Sequence, residues 1–210
     1  LLKDKDLVCI SGGVPLTSPL VMAAFEKKIP VTNDSQLFME AVPCPTIGIT
    51  GSSGKTTTTT LVGRMAERSV PPGTKAWVGG NIGRPLIDHL GEITAEDLVI
   101  LELSSFQLEL MTTAPNIAGI LNITPNHLDR HGTFEAYSAA KKRIIDFQST
   151  GDIAVLGRED PVAWSLSPQV KGNLISFGFS QLSPAEVGTF VADGILYWQH
   201  AQKTTRFLDI

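Results

Sequence analysis

The stretch Ile47-Gly48-Ile49-Thr50-Gly51-Ser52-Ser53-Gly54-Lys55-Thr56-Thr57 decides the reading of this chain. Its first four residues read as a short buried strand, Gly51 to Gly54 as a tight turn, and the segment carrying Leu61, Val62 and Met65 as a helix. Strand, glycine turn and helix in that order form the context in which a loop holds phosphate. The glycines let backbone N–H groups turn toward phosphate oxygens, the helix N-terminus adds a favourable dipole, and Lys55 brings a positive charge. Thr56 offers a hydroxyl to Mg²⁺. Gly51, Ser52, Ser53, Gly54, Lys55, Thr56 and Thr57 are therefore the candidate ATP-binding residues. The fuller G-x-x-x-x-G-K-[ST] pattern is not met, because Ile49 sits where its first glycine belongs.

Working outward, Leu98 to Leu101, Ile117 to Ile123 and Ile153 to Leu156 read as strands, and Phe134 to Phe147 as a helix between the last two. Strands alternating with helices predict a mostly parallel, doubly wound sheet. Near the end of the chain, Phe190-Val191-Ala192 and Ile195-Leu196-Tyr197-Trp198 flank Asp193-Gly194, a strong hairpin signal, so a small antiparallel meander is expected after the α/β core. Before residue 43, Leu7 to Ile10 reads as a buried strand, Ser18 to Lys28 as a helix opened by Pro19, Ile29 to Thr32 as a strand and Gln36 to Glu40 as a short helix. Pro43 and Pro45 break the chain there. The expected organisation is a partial Rossmann-like N-terminal domain over residues 1–43 and a phosphate-loop domain over 44–210.

Composition narrows the classes. At 210 residues, 42% hydrophobic and 18% charged, the chain has enough apolar material for one large or two small cores. A formal net charge of -4 gives no electrostatic footprint for nucleic acid, and no Lys/Arg run suggests a membrane surface. No apolar run approaches the ~20 residues of a membrane span. Cys9 and Cys44 lack C-x-x-C spacing and are expected to be buried thiols. Leu1-Leu2-Lys3-Asp4 reads neither as a signal peptide nor as a natural start, so a cytoplasmic, monomeric, N-terminally truncated chain is expected.

Several segments then carry a resemblance. Gly51 to Thr56, Gly80-Asn81-Ile82-Gly83, Leu101-Glu102-Leu103-Ser104-Ser105-Phe106-Gln107-Leu108-Glu109, Asn122 to Gly132 and Tyr137-Ser138-Ala139-Ala140-Lys141 resemble the Mur ligase superfamily, in the order seen in its D-glutamate-adding members. The resemblance implies ATP-driven joining of a carboxylate to an amine in peptidoglycan synthesis, with UDP-N-acetylmuramoyl-L-alanine and D-glutamate as partners. It implies two Mg²⁺ sites, on Thr56, Glu102, His127 and a carbamylated Lys141, and a catalytic set of Lys55, Glu102, His127 and Lys141. It places Gly12, Gly13, Asn81, Ser104 and Gln107 at the muramoyl substrate. It also implies a C-terminal domain that these residues do not include, so the chain by itself is expected to be inactive.

The residues support parts of this independently. Glu102 ends an apolar strand, so its carboxylate emerges at the carboxyl edge of the sheet, where doubly wound folds bind ligands. On a helix starting near Thr133, a 100° step sets Phe134, Tyr137, Lys141, Ile144, Ile145 and Gln148 on one face and turns Lys142 and Arg143 away. Alternatives stay open. A diamino-acid-adding ligase would have histidine where Phe106 follows Ser105, and a folylpolyglutamate synthase-like enzyme would lack the Asn81 loop. A GTPase-type switch would read Asp88-His89-Leu90-Gly91 as its D-x-x-G but lacks a base-reading motif, and a non-catalytic nucleotide-binding module remains a rival.

Overall fold

The computed structural model describes residues 2–83 and 85–210, so Leu1 of the first tetrapeptide lies outside it. Strand β1 (Val8–Cys9), helix α1 (Pro19–Glu26) and strand β2 (Val31–Thr32) form a parallel β-α-β unit with its own two-stranded sheet. Helix α2 (Asp34–Ala41) follows, its N-terminus capped by the Asn33 side chain, which accepts from the Gln36 amide at 2.8 Å. Leu7 and Cys9 are exposed, which corrects the expectation of a buried strand and of two buried thiols. With only two short strands the pleat turns alternate residues outward, and Ile10 rather than Cys9 reaches the interior. Cys44 is buried as expected. Helix α1 stops at Glu26, short of Lys28, which adopts a left-handed φ of 56°.

The remaining strands make one nine-stranded sheet. They are β3 (Thr46–Thr50), β4 (Ala76–Gly80), β5 (Leu98–Glu102), β6 (Ile117–Ile120), β7 (Ile153–Gly157), β8 (Asn173–Phe177), β9 (Gly188–Ala192), β10 (Ile195–His200) and β11 (Lys203–Asp209). Their order is β11-β10-β9-β8-β7-β6-β3-β5-β4, parallel from β4 to β9 and antiparallel from β9 to β11. The meander read from the sequence is present, as an extension of the main sheet. Asp193 and Gly194 turn its first hairpin with φ of 51° and 71°.

Helix α3 (Lys55–Ser69) covers β3, β5 and β4 on one face, packing its Val62 and Ala66 with Ile49 and Ile100. Helices α4 (Ser105–Leu108), α5 (Leu128–His131), α6 (Phe134–Asp146) and α7 (Pro161–Trp164) follow β5, β6 and β7, and the larger core, with Val99, Leu101, Ile120 and Ile144, lies on the opposite face. Phe38 and Met39 of α2 enter this same core. On the α3 side, Ile117, Leu121, Val155 and Phe177 line an open apolar groove over β6 to β8.

Two more expectations are corrected. Strand β6 ends at Ile120 and not at Ile123. Beyond it the Asn122 carbonyl turns to accept the Ser52 amide at 2.9 Å, which bends the chain over the glycine-rich loop, while Ile123 stays buried as a loop residue. Arg143 does not point away from the core side. Its guanidinium donates to the carbonyls of Leu108, at 3.0 Å, and Met111, at 2.7 Å, at and just beyond the end of the short helix α4.

Candidate functional site

Every element that carries a candidate residue ends at the carboxyl edge of the parallel strands. Strand β3 runs into the loop Gly51 to Gly54, and Gly54, with φ of 81°, is the left-handed N-cap of α3. Lys55 is the first helical residue. Its Nζ folds back to donate to the Gly51 carbonyl at 2.9 Å. Lys141, from α6, donates to the same carbonyl at 2.8 Å and lies 3.4 Å from Thr50 Oγ1. Two ammonium groups therefore converge on one carbonyl oxygen. Lys141 is 1% exposed. Burial first, and the nearby Lys55 charge second, bring its ammonium from the usual value of 10.5 down to about 7.

Glu102 closes β5, beside Gly80 of β4 and Ile49 of β3. It is 2% exposed, yet among the described residues no cation pairs with it. Its Oε2 accepts from Thr56 Oγ1 at 2.7 Å, and its Oε1 from Asn81 Nδ2 at 2.8 Å. A carboxylate buried without a cation is costly, and this one is held only by neutral donors. Gly80 makes the close approach possible, because with φ of 95° an added Cβ would lie 2.2 Å from the Glu102 carbonyl oxygen. Gly80→Ala is expected to destabilise the protein by about 2–4 kcal/mol through strain and overpacking together. Chemical denaturation measures this, and an unchanged midpoint would show that the end of β4 can rotate away from Glu102.

The candidate substrate residues come together. Gly12, Gly13, Asn81, Ser104 and Gln107 line one open cleft, with Arg130 on its wall, between the small β-α-β unit and the ends of β4 and β5. Not all of them present free groups. Gln107 forms a capping box with Ser104, its Oε1 accepting from the Ser104 amide at 2.9 Å, and its Nε2 donates to Ser35 Oγ at 2.8 Å. Its amide therefore ties α4 to α2, while Gly12, Gly13 and Asn81 edge the open space.

His127 is exposed, has a left-handed φ of 51°, and starts α5 with its ring 5.2 Å from that of Phe106. Among the described residues, no group of three or more His, Cys, Asp or Glu side chains is arranged to hold a metal ion. The structure thus joins Thr56 to Glu102, and Lys141 to Lys55, but makes no cage that includes His127. His131, which no spacing in the sequence singles out, stacks on Phe106 at 5.1 Å and lies 3.0 Å from Ser105 Oγ. Burial first, then His127, Lys141 and Arg130, lower its imidazole below the usual value, which keeps it neutral near pH 7. Arg130, lying 4.8 Å over the Phe106 ring, and Asn122 were also missed as individuals. Both sit inside segments quoted for their resemblance, but a lone Arg or Asn in a loop carries no spacing signal.

Comparison with known proteins agrees with this layout. Residues 49–205 match the model of the Mur ligase middle domain. A UDP-N-acetylmuramoylalanine--D-glutamate ligase of Thermoanaerobacter sp. (strain X514) is 41% identical over 210 residues, covering 100% of this chain and 45% of the relative. The ligase of the same name from Pelotomaculum thermopropionicum is 43% identical over 195 residues, covering 92% of this chain and 42% of its own length. The chain thus spans about half the length of the curated relatives it matches. Among solved structures, the MurF ligase of Thermotoga maritima in complex with ADP superposes with a TM-score of 0.55 at 16% identity, over 96% of this chain and 58% of that one. The UDP-N-acetylmuramate:L-alanyl-gamma-D-glutamyl-meso-diaminopimelate ligase of Neisseria meningitides gives 0.60 at 17%, over 95% and 66%. On the family match over most of its length and on these relatives, the chain belongs to the Mur ligase family.

Proposed function

We propose that this chain is the nucleotide-binding and muramoyl-substrate part of a D-glutamate-adding ligase of peptidoglycan synthesis. The observation that carries the reading is a single edge of the sheet where two lysines meet the glycine-rich loop, beside a buried Thr56–Glu102 pair and a cleft bordered by Gly12, Gly13 and Asn81. Relatives 37–43% identical carry the D-glutamate ligase name, and Phe106 stands where the diamino-acid-adding enzymes would have histidine. Residues 1–43 would serve the UDP end of the substrate and 44–210 the ATP, with Gly51 to Thr57 around the phosphates.

In the proposed reaction, a carboxylate oxygen of UDP-N-acetylmuramoyl-L-alanine attacks the γ-phosphorus of ATP, and ADP leaves with the bridging oxygen. The D-glutamate amine then attacks the acyl carbon, loses a proton, and expels phosphate that carries the former carboxylate oxygen. Positioning and charge neutralisation dominate such chemistry. Lys55 offsets charge on the transferring phosphoryl group, and Asn81 borders the cleft where the muramoyl peptide lies. Thr56 and Glu102 fit Mg²⁺, because they offer hard oxygens and a buried carboxylate without a cation. His127 and a carbamylated Lys141 would complete the second metal site. The bound ions would supply charge stabilisation to the phosphoryl oxygens.

Phosphate release by the full-length protein, given ATP and UDP-N-acetylmuramoyl-L-alanine, tests the assignment. D-Glutamate should support release, whereas L-glutamate and meso-diaminopimelate should not. Release with the diamino acid and none with D-glutamate would move the chain to the sister activity.

A further inference from the structure

The amides of the glycine-rich loop fall into two sets. Asn122, just past the end of β6, places its Oδ1 3.1 Å from the Ser52 amide and 2.9 Å from the Ser53 amide, accepting from both. Its Nδ2 donates to the Ser53 carbonyl at 3.1 Å, and its own backbone carbonyl accepts the Ser52 amide at 2.9 Å. Ser52 answers through its hydroxyl, which accepts the Thr124 amide at 2.9 Å and lies 2.9 Å from the Tyr137 hydroxyl. The first half of the loop is thus stitched to the β6–α5 connection through the Ser52 and Ser53 amides, the Ser53 carbonyl and the Ser52 hydroxyl. The amides of Gly54, Lys55, Thr56 and Thr57 find no acceptor among the described residues, since the helical ladder begins with Thr58 donating to Gly54.

We propose that Asn122 is a positioning residue for the nucleotide: its carboxamide fills the anion-accepting hollow of Ser52 and Ser53 with a neutral oxygen, so that the triphosphate is held by the amides from Gly54 to Thr57. This rests on the ATP-binding reading of the loop, and it reassigns two of the candidate ATP-binding residues. Ser52 and Ser53 hold the loop shape, and the following four residues meet the phosphates. The side chain does this before any nucleotide arrives, which spares the ordering cost at binding. An amide fits where a carboxylate would not. Asp at this position would keep both acceptor contacts, lose the donation to Ser53 and set a negative charge beside the phosphates.

The test uses the full-length ligase, a non-hydrolysable ATP analogue with Mg²⁺, and calorimetry. Wild-type protein should bind the analogue, and failure to do so would refute the ATP reading itself rather than the role of Asn122. In Asn122→Ala the analogue should bind about 10- to 100-fold more weakly, four side-chain hydrogen bonds to the loop having been lost. The KM for the UDP-linked substrate should move less than about twofold, a split that general loss of structure would not produce. Asn122→Asp, which keeps the two backbone amides satisfied and so protects the fold, should also bind weakly, and its deficit should shrink as salt screens the repulsion. Hydrogen exchange on the nucleotide-free wild type should protect the amides of Ser52 and Ser53 and leave those of Gly54 to Thr57 open. Wild-type affinity in both variants, or equal exchange across the loop, would overturn the proposal.

Discussion

Glu102→Ala in the full-length ligase is expected to lower kcat/KM by about 10²- to 10³-fold or more, with Lys55→Ala close behind, and with the fold intact in both cases. On the proposed reading the effect is large because Lys55 would offset charge on the phosphoryl group directly and Glu102 would do so by holding Mg²⁺. The fold should survive because neither residue holds the structure together. Among the described residues Glu102 is buried without a cation and its side chain is held by the neutral donors of Thr56 and Asn81, so its removal relieves a desolvation cost while orphaning those donors. Among the described residues the Lys55 ammonium donates only to the loop carbonyls of Gly51 and Ser52. Steady-state kinetics beside a thermal melt separates the two quantities. Turnover at the wild-type rate in either variant would remove that residue from the mechanism.

Lys141→Ala is expected to lose turnover to a similar degree and to regain part of it when a short-chain carboxylate is added. The side chain is one of the largest fully buried groups in the protein, with its Nζ aimed at the glycine-rich loop and 4.8 Å from the Tyr137 ring centre. With its ammonium brought to about 7, a substantial part of the population is neutral near pH 7, and that fraction grows as pH rises through this value. Only the neutral amine reacts with CO₂, forming an N–C bond and releasing one proton, and the product is an anion with oxygens that suit Mg²⁺. Lys142, paired at the surface with Asp146, has no such environment. The same depression works on stability. The unfolded chain binds this proton up to about pH 10.5 and the folded chain only to about 7, so unmodified protein should gain stability as pH rises between the two and show no further change from this group below about 7, where both states bind the proton. Undiminished activity of the unsupplemented variant would sink the role given to Lys141.

The parallel sheet, the loop and the stripe of α6 were readable because each rests on local periodicity. Lys141 lies in that stripe and is buried with Tyr137, Ile144 and Ile145, as a 100° step requires. What the pattern did not show is contact between distant segments. Arg143 has the right phase to face solvent, yet it turns to the Leu108 and Met111 carbonyls around the end of α4. Gln107 sits beside the substrate segment by sequence, but its amide is consumed by Ser104 and Ser35. Asn122 looked like the tail of a strand because Ile120, Leu121 and Ile123 are apolar. Only the approach of the glycine-rich loop, about seventy positions earlier, shows why an amide stands there. Cys9 was misread for the opposite reason: apolar neighbours imply burial only when a second layer covers the strand, and β1 has just one partner.

The central claim is that the alanyl carboxylate of the UDP-linked substrate is phosphorylated before the amine attacks. It is tested most directly by supplying the full-length ligase with UDP-N-acetylmuramoyl-L-alanine whose alanyl carboxylate carries heavy-isotope oxygen, together with ATP and D-glutamate, and weighing the released phosphate. One labelled oxygen per phosphate is the expected result, because the carboxylate oxygen that attacks phosphorus departs with it. Phosphate free of label, released alongside newly formed amide, would contradict the account.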